Sequence, residues 1–167
     1  AHFTRNGINP AVHLLEGSRG CSFKCSFCVM PAEVGGHALY DLSAVQSAID
    51  NSLATSPLFS FRRWFPLLIF LDNNFSDDRK HLLAMCALLK ADRRIRGWAA
   101  LVTQNVLADR ALIKTLADAK CMTLFVGIES LDENFLRTYR KKQNLGRRRT
   151  VIDDIVFAEE NGIGIGY

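Results

Sequence analysis

Three of the five cysteines in this chain fall within eight consecutive positions. Cys21, Cys25 and Cys28 lie in the segment RGCSFKCSFCVMP (residues 19–31) and are spaced four and then three residues apart. Three thiolates this close can bind three irons of an iron–sulfur cluster, whereas the usual electron-transfer cluster takes four cysteines. An open coordination position separates a catalytic metal site from a closed structural one. The triplet therefore favours a cluster that performs chemistry.

The alternative for the triplet is a structural zinc site with His37 as a fourth ligand. Structural zinc sites usually pair their ligands in CxxC-type clips, and the spacing here differs from that pattern. The other two cysteines, Cys86 and Cys121, lie in a predicted helix and at the start of a predicted strand, so we expect both in the core.

Polar side chains follow the predicted strands where each strand ends. In parallel α/β architectures, ligand sites gather at the carboxyl ends of the strands. We therefore expect one polar rim built from the cysteines after the first strand and from the residues after the next three. These residues are Asp72, Asn73 and Asn74, then Thr103, Gln104 and Asn105, then Glu129 and Ser130.

Strands and helices alternate along the chain, which predicts parallel βαβ units with right-handed crossovers. Hydrophobic periodicity places strands at 11–18, 66–72, 97–104 and 121–130, and a fifth strand begins after Gly162. It places helices at 41–54, 78–94, 109–120, 131–142 and 150–162, with Gly162 as the stop of the last one. An aromatic segment at 56–66 is expected to be a loop packed over this framework.

Composition limits the kinds of partner. The net charge is +4, with a sequence pI near 8.9, and much of the excess lies in residues 137–149. We interpret that segment as a solvated helix end and loop, so nucleic acid is not an expected partner. No stretch approaches the ~20 apolar residues of a membrane span. An odd cysteine count without a secretory leader predicts reduced thiols and a cytoplasmic location.

The motif CSFKCSFC, with Phe27 before its last cysteine, resembles the CxxxCxxC signature of the radical S-adenosylmethionine (SAM) enzymes. The segments SRGCSFKCSFC, IFLDNNF and FVGIESLDENFLRTYRKKQN resemble the first, second and fourth strand regions of the subgroup that usually carries a cobalamin-binding domain. The resemblance implies an α/β fold, an incomplete (β/α) barrel of TIM type with four βα units and the start of a fifth strand.

The same resemblance implies a role for each matching residue. Cys21, Cys25 and Cys28 would bind a 4Fe-4S cluster whose remaining iron binds SAM, with Phe27 against the adenine. The remaining SAM contacts would come from three groups of residues: Asp72, Asn73 and Asn74 at the methionyl ammonium, Glu129 and Ser130 at the ribose hydroxyls, and Lys141 at the carboxylate. Ser130 could instead cap the following helix, since SLDE is a capping-box pattern.

The function implied is reductive cleavage of SAM to a 5′-deoxyadenosyl radical for hydrogen abstraction, leading to cobalamin-dependent methylation of a carbon centre. Radical cyclisation or rearrangement is the alternative, and a zinc-stabilised nucleic-acid-binding module is the alternative of another class. The expected partners are a small-molecule substrate and an electron donor such as flavodoxin or ferredoxin. Cobalamin would bind through a domain outside this chain.

We expect residues 1–167 to form one radical SAM core domain that is part of a longer protein, because the chain lacks an initial methionine and ends in the strand-like run NGIGIGY. In such a truncated core, the inward-facing Ile163 and Ile165 are expected to lack neighbours.

Overall fold

A computed structural model of the chain describes residues 12–30, 36–54, 66–146 and 149–167. Within these ranges, no helix is long and apolar enough to cross a membrane. Nearly all of the aromatic segment expected to form a loop, residues 56–65, lies outside the described residues.

The described elements follow the predicted alternation, with ends shifted by a few residues. The strands are β1 (Val12–Leu15), β2 (Ser18–Arg19), β3 (Ala38–Leu39), β4 (Leu67–Phe70), β5 (Gly97–Thr103), β6 (Cys121–Gly127) and β7 (Gly164–Gly166). The helices are α1 (Leu42–Ala54), α2 (Arg79–Ala91), α3 (Asn105–Ala108), α4 (Arg110–Asp118), α5 (Glu133–Thr138) and α6 (Val151–Glu160), with a short 3₁₀ helix at Lys142–Asn144.

Five strands form one parallel sheet in the order β1-β4-β5-β6-β7. Each strand of this sheet therefore lies beside the next one along the chain, as in a (β/α) barrel that is open between β7 and β1. This confirms the predicted fold class. The antiparallel pair β2–β3 was not predicted, because strands of two residues are too short to show alternation.

The core lies between the sheet and the helices. Its largest fully buried side chains include Phe70 on β4, Trp98 on β5 and Leu124 on β6. The Trp98 indole N–H donates to the carbonyl of Ala119 at 2.7 Å, so its buried polar atom has a partner. Cys86 and Cys121 are 3% and 4% exposed, which confirms that both belong to the core.

The expectation that Ile163 and Ile165 lack neighbours is wrong. Ile163 is fully buried, and Ile165 packs against the core. The chain turns sharply at Gly162, whose φ is +82°, and Ile163 N–H donates to Ala158 O at 3.0 Å. With Gly162 N–H donating to Glu159 O, this is a Schellman motif, which ends α6 and carries Ile163 back under the helix.

Candidate functional site

The cysteine loop, defined here as residues 20–30, begins at Gly20, a position that only glycine can occupy without strain. Gly20 has φ +86°, and a side-chain carbon at this position would collide with the carbonyl oxygen of Gly36. Its N–H donates to Asn73 Oδ1 at 2.8 Å. The loop therefore starts at a fixed point between the β2–β3 pair and the segment that follows β4.

All three cysteines of the loop line one cavity of about 520 Å³ at the carboxyl ends of β5, β6 and β7. This volume lies in the range of about 300–1,000 Å³ that is typical of small-molecule sites. The other polar lining residues are Asn73, Thr103, Glu129, Lys141 and Gln143, and the apolar ones include Phe23, Phe27, Leu101 and Phe125. The structure thus brings the cysteines together with the ends of the later strands. Of the eight other polar residues predicted for this rim, Asn73, Thr103 and Glu129 line the cavity.

Asp77 holds the first cysteine of the loop, and its side chain is 2% exposed. Its carboxylate accepts hydrogen bonds from the Ser22 N–H at 3.0 Å and the Ser22 hydroxyl at 2.8 Å. The Asn74 amide donates to the same carboxylate at 2.9 Å and lies 3.8 Å from Cys21 Sγ. Burial, with the Asp77 charge adding to it, raises the pKa of the Cys21 thiol. An empty site therefore favours the protonated thiol.

The chain between Tyr139 and Gln143 holds the second half of the loop. The Ser26 N–H donates to Tyr139 O at 3.0 Å, and the Tyr139 ring meets the Phe27 ring edge-on with centroids 6.3 Å apart. The Gln143 side-chain amide donates to Cys25 Sγ at 3.5 Å. Two segments that are distant in sequence therefore fix the two ends of the cysteine loop.

Lys141 and Glu129 form an ion pair at the cavity wall, with Lys141 Nζ 2.8 Å from Glu129 Oε1. Lys141 is only 5% exposed, and its Nζ lies 5.6 Å from the centroid of the Phe27 ring. A side chain at Gly127 would lie within 2.9 Å of both charged groups. The glycine that ends β6 therefore leaves the space in which this pair forms.

The three polar residues after β4 point in different directions. Asp72 is 1% exposed, and its carboxylate accepts from the Gly17 N–H at 3.0 Å and the Ser18 hydroxyl at 2.6 Å. Burial raises the pKa of this carboxyl. Of the three, Asn73 alone lines the cavity, whereas Asp72 joins β4 to the start of β2 and Asn74 supports Cys21.

Ser130 does not cap α5. The N-cap is Asp132, whose carboxylate accepts from the Asn134 N–H at 2.8 Å, while the Ser130 hydroxyl accepts from the Asp132 N–H at 3.0 Å. The capping-box interpretation is therefore wrong by two residues, because the helix begins later than the pattern suggests. Ser130 lines a neighbouring apolar cavity that shares Gly127 and Glu129 with the first one.

The basic segment 137–149 is partly paired in its described residues. Arg137 pairs with Glu133 at 3.0 Å, and the Arg149 guanidinium binds Asp154 at 3.0 Å and the carbonyl of Ala108 at 2.9 Å. Both arginines thus have a role within the fold.

The donor set fits an iron–sulfur cluster better than a single zinc ion. His37 Nδ1 lies 3.1 Å from Asp77 Oδ2, which leaves Nε2 as the ring nitrogen that could bind a metal. Across the described ranges, no three His, Cys, Asp or Glu side chains are placed to hold one metal ion. Cluster cysteines each bind a different iron, so the three thiols need to surround a shared volume and need not meet at one point. A bound metal also deprotonates its thiol ligands, which overcomes the raised pKa of Cys21.

Sequence reasoning missed Asp77 and Gln143, which contact the cysteine loop directly. Their side chains reach Ser22 and Cys25 across 55 and 118 residues of chain. The sequence marked these two residues only by their positions. Asp77 comes three residues after the polar run that follows β4, and Gln143 comes two residues after Lys141.

Comparison with known proteins gives sequence relatives that are methyltransferases. The chain is 28% identical over 125 residues to bacteriochlorophyllide d C-8(2)-methyltransferase of Chlorobaculum tepidum, covering 74% of this chain and 27% of the relative. It is 25% identical over 136 residues to hopanoid C-2 methylase of Rhodopseudomonas palustris, covering 78% of this chain and 24% of the relative. The chain thus spans about a quarter of the length of these relatives. No protein-family model matches the sequence.

Solved structures with the same fold cover nearly all of the chain. The cobalamin-dependent SAM radical enzyme OxsB, with aqua-cobalamin and SAM bound, matches 91% of this chain and 22% of its own, with a TM-score of 0.73 and 18% identity. The radical SAM methyltransferase TsrM from Kitasatospora setae, with tryptophan and a SAM analogue bound, matches 92% of this chain and 29% of its own, with a TM-score of 0.70 and 20% identity. The relatives in sequence are thus methyltransferases, and the neighbours in fold are the cobalamin-dependent radical SAM enzymes that the resemblance predicted.

Proposed function

Because the chain resembles methyltransferases in sequence and cobalamin-dependent radical SAM enzymes in fold, we propose that it is the SAM-cleaving core of an enzyme that methylates a carbon centre. One observation carries the proposal: Cys21, Cys25 and Cys28 line a single cavity of SAM-compatible size at the carboxyl ends of the strands. The cofactors are a 4Fe-4S cluster on these cysteines and SAM in the cavity, with cobalamin bound outside this chain.

When bound, the cluster supplies the one-electron reduction of SAM, and cobalamin supplies the methyl transfer. The part of the protein described here binds and orients the cluster and SAM. The Asp77 and Gln143 contacts fix the cysteine loop before any metal arrives, which lowers the entropic cost of forming the site. The apolar wall, which includes Leu101 and Phe125, limits water around the reacting groups.

Four cavity residues are proposed to contact SAM. Phe27 is 45% exposed and offers a ring face for the adenine. Glu129 and Lys141 present opposite charges, suited to the ribose hydroxyls and to the carboxylate of SAM, and Asn73 presents an amide for the methionyl ammonium. None of Asp72, Asn74 and Ser130 lines this cavity, so we propose that they support residues around the SAM site and do not contact SAM.

The proposal extends to partners and location. A small-molecule substrate would reach the cavity, and a low-potential one-electron donor such as flavodoxin or ferredoxin would reduce the cluster. The cysteines are free thiols, which suits a reducing cytoplasm.

The test is anaerobic reconstitution of the protein with iron and sulfide. We expect a brown protein that produces methionine and 5′-deoxyadenosine from SAM when reduced. Replacing any one of Cys21, Cys25 or Cys28 with alanine should abolish both, because each cysteine binds a separate iron. The matched controls are Cys86→Ala and Cys121→Ala, which remove thiols buried in the core and should keep the iron content.

Three outcomes would contradict the proposal in whole or in part. A colourless protein that binds zinc would exclude the radical chemistry. Equal loss of iron from Cys86→Ala would show a different ligand set. SAM cleavage without a methylated product, in the presence of cobalamin and substrate, would support the alternative of radical cyclisation or rearrangement.

A further inference from the structure

Gln143 helps to hold the cysteine loop, and it does so through the sulfur of a proposed cluster ligand. It lies in the 3₁₀ helix after α5, and its side-chain nitrogen lies 3.5 Å from Cys25 Sγ, a distance suited to an N–H···S hydrogen bond. Its carbonyl oxygen is buried and has no hydrogen-bond partner among the described residues. The bond to Cys25 is thus the one hydrogen bond of this amide within the described part of the chain.

We propose that Gln143 is a positioning residue that sets the reduction potential of the cluster through the sulfur of Cys25. This inference rests on the proposed function, because it requires Cys25 to be a cluster ligand. One electron from an external one-electron donor adds negative charge to the cluster and its ligating sulfurs. An N–H donor stabilises the more negative state more strongly and therefore raises the potential.

The orientation of the amide follows from the chemistry of the ligand. A metal-bound thiolate has no hydrogen to donate, so only the N–H side of the Gln143 amide can bind it. The contact is also sheltered, since Cys25 is 9% exposed, and a hydrogen bond away from water is electrostatically stronger.

Asn74 is another side-chain amide near a ligand sulfur, and it is a weaker donor to the cluster. One of its two N–H groups binds the carboxylate of Asp77 at 2.9 Å. Its nitrogen lies 3.8 Å from Cys21 Sγ, farther than the 3.5 Å contact that Gln143 makes with its sulfur. Among these two amides, Gln143 therefore has the larger expected effect on the potential.

The experiment is a potentiometric titration of the reconstituted protein, followed by electron paramagnetic resonance. Gln143→Leu removes the donor, and Gln143→Glu replaces it with a negative acceptor. We expect the equilibrium constant for reduction to fall about threefold in Gln143→Leu, equal to about 28 mV for a one-electron couple, and further in Gln143→Glu. The matched control is Gln46→Leu on α1, whose amide bonds to Asp50 and Asp92 and which should keep the wild-type potential.

Each result decides the inference. Equal potentials in wild type and Gln143→Leu, at full iron content, would overturn it, and so would a higher potential in Gln143→Glu. If Gln143→Leu yields little folded protein, Gln143→Met keeps the side-chain length without the amide. Loss of iron from both apolar variants would also overturn the inference, because the amide would then act by holding the loop for cluster assembly and not by setting the potential. Failure of the wild type itself to form a cluster would instead overturn the proposed function.

Discussion

The five thiols of this chain lie in two kinds of environment. Cys21, Cys25 and Cys28 line the cavity, where Cys25 is buried and the other two are partly exposed. Cys86 and Cys121 are buried in the core. Burial raises the pKa of the Cys86 thiol to about 11, and burial together with the neighbouring Cys86 raises that of Cys121 as well. Since the thiolate is the reactive form, the two core thiols should react slowly, both because reagents cannot reach them and because few of them are ionised at neutral pH.

We therefore predict selective alkylation of the native, metal-free protein. At neutral pH, iodoacetamide should modify Cys21 and Cys28 well before Cys86 and Cys121, as read by mass spectrometry of peptides. Denatured protein is the control and should react at all its cysteines. Early modification of Cys121 in native protein would contradict the burial described here.

Asp77 gives a second prediction for single residues. Asp77→Asn replaces one acceptor oxygen with a donor, so the contacts from the Ser22 N–H and hydroxyl cannot all persist. Loss of an outer partner of a metal site typically costs about 10–100-fold in affinity, and we expect iron to pass to a chelator correspondingly faster. Asp118→Asn, at an exposed position, is the control and should release iron at the wild-type rate.

Most residues that line the cavity and carry a proposed role could be predicted from the sequence, whereas the residues that hold the cysteine loop could not. The cysteines carry a short-range spacing, and Phe27, Glu129 and Lys141 were placed by resemblance, and all of these line the cavity. Asp77 and Gln143 act through contacts made only when the chain folds, so no local pattern marks them.

The end of α5 is the element that positions Lys141 and Gln143. The Arg140 N–H donates to Arg137 O and the Lys141 N–H to Leu136 O, which is a Schellman motif. Arg140 occupies the position where glycine is preferred, with φ +57°. This turn directs the chain back towards the cysteine loop at the cost of a strained arginine.

We predict that Arg140→Gly stabilises the protein. Relief of the left-handed conformation outweighs the greater freedom of glycine in the unfolded chain, and we expect a gain of about 0.5 kcal/mol in the free energy of unfolding. Arg137→Gly is the matched control, because it makes the same change inside α5 and should lower that free energy by about 0.5–1 kcal/mol. Both are measured by chemical denaturation, and a loss in Arg140→Gly would contradict the strain.

Element boundaries show where sequence reasoning works and where it fails. The helix predicted at 78–94 is observed at Arg79–Ala91 because its amphipathic period is strong and Asp78 caps it. The cap of α5 was misplaced because Ser130 and Asp132 are both good capping residues, and the backbone conformation that chooses between them is set by tertiary packing.

The described part of the molecule is built on one parallel sheet, whose central strands are longer and have more strand partners than its outer strands. β5 and β6 have seven residues each and lie between other strands, whereas β1 and β7 have a strand partner on one side in the described part of the chain. Backbone hydrogen bonds at the margins should therefore open at a lower free energy than those at the centre.

Hydrogen–deuterium exchange tests this gradient. We predict the slowest exchange for amides of β5 and β6 and faster exchange for β1 and β7, as measured by mass spectrometry of peptides. Exchange in β7 as slow as in β6 would show that β7 has a second strand partner.

The separation between the cysteine loop and Gln143 also has a consequence for protein synthesis. A ribosome completes Cys25 118 residues before it reaches Gln143, and at about 5–20 residues per second this takes about 6–24 s. During that interval the three thiols exist without the segment that holds Cys25 and Ser26. A nascent chain therefore presents its thiols to oxidants and stray metals before the site is complete, and the loop gains its full set of contacts only after residues 139–143 have left the exit tunnel.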